Sequence, residues 1–175
     1  MKITIPELSL VVLVGASGSG KSTFAARHFR PTEVLSSDAY RGVVGDDEND
    51  QGATKAAFEI LHFIGGKRLE AGKLTLVDAT NVQREHRQPL VELARAHHVL
   101  PVAIVFDVPE RLCLLHNASR PDRDISQYVV RQQRAQLRRS IGSLERDGFS
   151  RVFVLRTQEE VDEAEVEREP VDPGV

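Results

Sequence analysis

The sequence predicts an α/β domain: a parallel sheet with helices on both faces and a helical lid. Three observations predict it. Apolar runs of four to seven residues recur along the chain, and they are continuous rather than alternating, as in strands covered on both faces. Segments with helical spacing separate these runs, the alternation of a doubly wound sheet. The first run passes directly into a glycine-rich stretch that opens a helix.

In order along the chain, Leu8–Val14 reads as the first strand and Lys21–Phe29 as the helix after it. Glu33–Ser36 is a shorter strand. Thr54–Ala71 places Ala57, Ile60, Leu61, Ile64 and Leu69 at helical intervals. Gly65 and Gly66 weaken that helix, by about 1 kcal/mol each against alanine. Leu74–Val77 is the next strand, and Arg84–His97 a helix with Leu90, Leu93 and Ala94 on its apolar side. Val102–Phe106 is a strand, Glu110–Ser119 and Ser126–Arg146 are helices, and Val152–Leu155 is the final strand. The ending from Glu169 to Val175, with Pro170 and Pro173, suits neither element and reads as the start of a linker. The expectation is one domain over residues 1–169, a lid around 111–140, and a linker over 170–175.

The 175 residues are 41% hydrophobic and 28% charged, ordinary for a single globular domain. The lone cysteine, Cys113, rules out a disulfide framework and a cysteine-based zinc site, and points to a reducing, cytoplasmic compartment. No apolar stretch approaches the ~20 residues of a membrane span. Residues 157–175 hold eight acids and one arginine, a net of −7 within a total of −3, so residues 1–156 carry +4. A mildly basic body fits a polyanionic ligand.

Gly15-Ala16-Ser17-Gly18-Ser19-Gly20-Lys21-Ser22 matches G-x-x-x-x-G-K-[ST] between an expected strand and an expected helix. In such a P-loop, or Walker A segment, glycines let backbone N–H groups wrap phosphates, and the helix N-terminus adds its positive dipole end. Gly15, Ser17, Gly18, Ser19, Gly20 and Thr23 are therefore nucleotide-binding candidates. Lys21 can reach the β- and γ-phosphates and Ser22 can ligate Mg²⁺ or Mn²⁺. The motif implies ATP or another nucleoside triphosphate, but leaves the acceptor open.

Two further segments fall at expected strand ends, where a parallel sheet opens its crevice, and an acidic and amide cluster lies between them. Asp38 can take a proton from an acceptor hydroxyl, and Arg41 can hold the acceptor or the moving phosphoryl group; alternatively Asp38 is a helix cap and Arg41 a solvated charge. In the cluster from Asp46 to Gln51, Asn49 and Gln51 are candidates for bonding an acceptor, and a loop capping the next helix is the plainer reading. Asp78 stands where P-loop proteins place an acid near magnesium. Thr80 and Asn81 are expected to point into the crevice, unless they serve only a strand-to-helix turn. Asp38 and Asp78 are also candidates for reaching the metal through water.

Arg120-Pro121-Asp122-Arg123-Asp124 breaks the helical pattern and reads as a mobile lid loop that brings arginine to the phosphates. Arg131, Arg134 and Arg138 share one helix face and read as solvated. The histidines form no ligand set, and His28, His62 and His86 are isolated in the sequence.

Together, Gly15–Ser22, Ser36-Ser37-Asp38-Ala39-Tyr40-Arg41-Gly42, the Asp46–Gln51 cluster, Asp78-Ala79-Thr80-Asn81 and Arg120-Pro121-Asp122-Arg123 resemble the kinase module of bacterial polynucleotide kinase-phosphatase, an RNA-repair enzyme. The resemblance runs from Ile3 to about Glu169. It implies transfer of the γ-phosphoryl of ATP or another triphosphate to a 5′-hydroxyl end of RNA or DNA. It also implies Lys21 and Ser22 at the phosphates and magnesium, Asp38 as general base, Arg41 at the acceptor, and Arg120 and Arg123 as lid arginines. Phosphatase and ligase modules, an RNA methyltransferase partner and a homodimer are implied with it. His116 departs from the pattern, since an arginine reaching the triphosphate is expected there, and imidazole is a weaker phosphate partner than guanidinium.

Two other readings stay open. A small-molecule kinase, for a sugar or nucleotide acceptor, requires a closed acceptor pocket, whereas a polynucleotide kinase requires an open groove with basic lining. A nucleotide-gated binding module would need no acceptor at all.

Overall fold

The chain opens with a short strand, β1 (Lys2–Pro6), and enters the central sheet at β2 (Ser9–Gly15). There follow α1 (Lys21–His28), β3 (Val34–Ser36), α2 (Ser37–Gly45), α3 (Thr54–Glu70), β4 (Thr75–Asp78), α4 (Arg84–Ala96) and β5 (Leu100–Phe106). Then come α5 (Glu110–Ala118), α6 (Gln127–Ile141), β6 (Arg151–Leu155), α7 (Gln158–Glu163) and β7 (Glu165–Glu169). This computed structural model describes residues 1–122 and 125–171. Arg123 and Asp124 of the expected lid, and residues 172–175 of the expected linker, lie outside the described residues.

The sheet has five strands in the order β3-β4-β2-β5-β6, every neighbouring pair parallel. All seven residues of β2 are buried, which explains its unbroken hydrophobicity. Side chains alternate between faces. Val11 and Leu13 enter one core layer with Phe24 of α1, Cys113 of α5 and Val161 of α7. Leu10, Val12 and Val14 enter the other with Leu61 of α3, Leu90 and Val91 of α4, and Leu137 of α6. Helices therefore cover both faces, as the sequence predicts. Among the described residues no helix is long and apolar enough to cross a membrane.

Several elements differ from expectation. α3 runs unbroken through Gly65 and Gly66. A Cβ on Gly65 would stand 3.3 Å from Leu93 Cδ2, so the small residue permits close packing of α3 on α4. α6 stops at Ile141, with Gly142 as C-cap, five residues short of the expected end. The segment after β3 is a helix, α2, and Ser36 caps it by accepting from Ala39 N. The acidic ending also carries structure: β7 pairs in parallel with β1 as a separate two-stranded sheet, Lys2 opposite Glu165 and Pro6 opposite Glu169. Ile3 and Ile5 of β1 are fully buried in the core with Val166 of β7 packed against it, and ion pairs add to the hold. Arg168 makes two 2.8 Å hydrogen bonds to the buried Glu33 carboxylate, Lys2 pairs with Glu167 at 3.0 Å, and Arg151 pairs with Glu169. Burial alone would raise the Glu33 carboxyl. The Arg168 fork, the Arg30 N–H and both positive charges outweigh it and hold Glu33 below the usual carboxylate range.

Candidate active site

β2, β3 and β4 end together, with Ser36 and Asp78 in register, so the segments after them share one crevice. The glycine-rich loop joins β2 to α1. Gly18 and Gly20 adopt φ of +79° and +100°, which glycine alone tolerates cheaply. A Cβ on Gly18 would also lie 2.4 Å from the Cys113 carbonyl, because α5 packs directly on the loop. Two side chains the sequence did not single out brace it. Asn117 of α5 donates to Ser17 O and accepts from Ser17 Oγ, both at 3.1 Å, and Gln133 of α6 accepts from Ser17 N at 2.9 Å. Each stands about a hundred residues from the loop, so no local spacing announces it. Lys21 lies buried and donates to Ala16 O at 2.9 Å, with Ser19 Oγ at 3.5 Å. Gly15 N donates to Thr80 O at 2.9 Å, tying the loop's start to the end of β4.

Two cavities flank the loop. The smaller, about 270 Å³, is lined by Thr23, Phe24, Arg27, His116, Gln158 and Asp162 among others, and the short α7 forms one wall. The larger, about 470 Å³, collects Ser17, Lys21, Ser22, Asp38, Arg41, Gln51, Asp78 and Thr80. Gly18, Gly20 and Arg120 line both, so the loop and Arg120 stand at the boundary.

In the larger cavity Ser22 Oγ donates to Asp78 Oδ2 at 2.7 Å. A hydroxyl and a carboxylate side by side are hard oxygen donors, and this pair fits a Mg²⁺ that keeps its other positions for water and phosphate. Asp38 is not the α2 cap, since Ser36 fills that role. Its carboxylate instead meets the Arg41 guanidinium, and Arg41 Nε donates to Glu48 O at 3.0 Å. Glu48 thus contributes its backbone, while Asp50 caps the 3-10 turn Gln51–Ala53 ahead of α3 by accepting from Gly52 N at 2.9 Å.

Other candidates are placed differently. Asn81 does not face the crevice: it is fully buried, with φ of +50°, and donates to Leu13 O at 2.8 Å, so its amide locks the turn after β4 to the central strand. Asn49 does not line the cavity either. Its Nδ2 donates to Asp122 O at 2.7 Å, linking the loop before α3 to the lid loop. Arg134 is buried rather than solvated and pairs with Asp107 at 3.2 Å. His116 Nδ1 meets Gly18 O at 2.7 Å, so it carries the proton and the neutral ring leaves Nε2 as an acceptor. His86, isolated in the sequence, stacks on Phe58 with ring centroids 5.4 Å apart and planes 20° apart, and both rings line the larger cavity. Burial pushes the Cys113 thiol up, in keeping with a packed hydrophobe.

Solved structures share this fold. The chain is similar to one in the Pnkp1/Rnl/Hen1 RNA repair complex (TM-score 0.69, 22% identity), covering 80% of this chain and 47% of that one, so it spans about half of that relative's length. It is also similar to a gluconokinase from Sinorhizobium meliloti 1021 (TM-score 0.58, 18% identity, 91% of this chain and 88% of that one). A third likeness is to the Mycobacterium tuberculosis APS kinase CysC in complex with AMPPNP and APS (TM-score 0.54, 20% identity, 91% and 94%). No curated protein matches the chain. These likenesses show the fold, an α/β domain built on a central parallel sheet with helices on its faces. Residues 10–144 match the model of the AAA domain family, and the chain belongs to that family.

Proposed function

We propose that the protein is an ATP-dependent kinase acting on the 5′-hydroxyl end of a nucleic-acid strand. The observation that carries the reading is the larger cavity, where Asp38 and Arg41 share one space with Lys21, Ser22 and Asp78. A donor nucleoside fits the smaller cavity, which places its phosphates along the loop and its γ end in the larger one. Asp38 accepts the proton of the 5′-hydroxyl as that oxygen bonds to the γ-phosphorus. The bond from the γ-phosphorus to the β,γ-bridging oxygen breaks, and ADP leaves. Arg41, anchored by Glu48, orients Asp38 and the acceptor; Lys21 and Arg120 offset charge on the transferring group. Ser22 and Asp78 would hold Mg²⁺ or Mn²⁺, which when bound neutralises charge on the β- and γ-phosphate oxygens. Phe58 and His86 offer the terminal nucleobase an apolar wall, and Gln51 and Thr80 offer its sugar and first phosphate polar partners. The likeness to a chain of an RNA repair complex supports RNA ends as the setting, with phosphatase, ligase and methyltransferase partners.

One observation favours a smaller acceptor. The Asn49–Asp122 hydrogen bond ties the lid loop to the loop before α3 and narrows that side of the crevice. γ-Labelled ATP with a 5′-hydroxyl oligonucleotide, set beside gluconate, nucleosides and adenylyl sulfate, decides. Label at the 5′ end of the oligonucleotide is the expected result, and label only on a small molecule overturns the reading.

A further inference from the structure

We infer that the acceptor strand leaves the reaction cavity along a groove between the start of α4 and the face of α6, where Arg84 and Arg139 hold its phosphodiesters. The inference rests on the polynucleotide reading above. A separate surface cavity of about 340 Å³ lies there, with Arg84 and Glu85 on the α4 side and Gln136 and Arg139 on the α6 side. Its lining residues follow those of the reaction cavity along the chain on both walls. On one wall Thr80 lines the first cavity, and Val82 and Gln83 line the second. On the other, Val129 and Gln133 line the first cavity, and Gln136 and Ser140 follow on the same helical face. The floor is rigid: Ser140 Oγ donates to Val82 O at 3.0 Å, joining the two walls.

Chemistry favours a phosphodiester strand in this groove over a peptide or lipid. Two guanidiniums face one carboxylate, and the glutamine amides add neutral donors for phosphate or sugar oxygens. Arg84 is held lightly, 3.5 Å from Asp147, with 70% of its side chain exposed, and Asp147 is satisfied independently by the buried Arg87 at 3.2 Å. Arg84 can therefore turn to a phosphate without stranding a buried acid. Gln133 to Arg139 spans about 9 Å along α6, at 1.5 Å per residue, so the groove meets the second and third nucleotides behind the reacting end. Closure of the lid side by Asn49 and Asp122 leaves this route open.

The test compares 5′-hydroxyl acceptors of two, three and six nucleotides. KM is expected to fall as the acceptor lengthens past two nucleotides. In the Arg84→Ala/Arg139→Ala protein that advantage should disappear, with the hexamer's KM rising towards the dinucleotide's, while kcat at saturating hexamer holds. Two lost phosphate contacts should also flatten the slope of log KM against log salt by about 1.4. Arg139→Glu alone, at an exposed position, repeats the test should the double variant melt early. Equal KM for all lengths in the unaltered protein, or a length advantage that survives in the variants, overturns the inference with the kinase reading intact. Failure to phosphorylate any oligonucleotide overturns both.

Discussion

Ser22 and Asp78 share a 2.7 Å hydrogen bond that joins the first turn of α1 to the last residue of β4. Their oxygens stand beside the buried Lys21 in the same cavity, so one replacement there should change metal dependence more than fold. Asp78→Asn is expected to weaken the apparent affinity for Mg²⁺ in the kinase assay by about 10–100-fold. Excess Mg²⁺ should restore much of the rate, and a magnesium titration reads it. An unchanged half-saturation would remove Asp78 from the metal's surroundings.

Asp38 lines the larger cavity together with Lys21 of the loop, paired with Arg41. Asp38→Ala should slow transfer by about 10²–10⁴-fold, the usual worth of a positioned general base. Affinity for ATP should stay near its starting value, because the smaller cavity proposed for the nucleoside lies on the other side of the loop. Calorimetry for binding and single-turnover kinetics for transfer separate the two.

The ring wall makes a prediction about the acceptor. His86→Ala and Phe58→Leu should each raise KM for an oligonucleotide by about tenfold, since stacking one base is worth about 1–3 kcal/mol. The penalty should vanish on an acceptor whose 5′-terminal residue is abasic. An equal penalty on both acceptors would make the wall structural only.

His116 Nδ1 donates to the Gly18 carbonyl, and the residue lines the smaller cavity. Arg at this position supplies donors. His116→Arg should tighten ATP by roughly tenfold, the worth of one hydrogen bond to a charged group. A measured Kd that does not move would show that Arg120 already serves the triphosphate.

Glu33 and Arg168 fasten β7 to the body of the domain. The folded-state carboxyl lies below its ordinary value, so this stabilisation is full above the usual carboxylate range and is lost as pH falls through the folded value. Glu33→Gln should lower Tm at pH 7 by about 3–6 °C, from roughly 1.5 kcal/mol at 2–4 °C per kcal/mol. The gap between the two proteins should close as pH falls below about 4. A gap that persists at acid pH would assign the effect to packing.

The parallel sheet was legible because each central strand is buried on both faces and carries an unbroken apolar stretch. The loop was legible because its glycines, lysine and serine must be contiguous to wrap a phosphate. What escaped depended on distance. Phe58 and His86 carry no joint signal until α3 packs on α4, and Asn117 and Gln133 meet Ser17 only through the fold. β7 reads Glu-Val-Glu-Arg-Glu, with little hydrophobic pattern, because Val166 packs against the core while backbone pairing with β1 and ion pairs supply the rest of the hold. Asn81 misled for the opposite reason. Its residue type suits a crevice or a turn equally, and only its bond to Leu13 O decides.

The pairing of β1 with β7 also bears on how the protein is made. Lys2 pairs with Glu165, so this pair cannot form until the whole central sheet between them has been synthesised. Closing so long a loop is entropically costly and slow. Until residues 165–169 arrive, β1 lacks the strand that pairs with it.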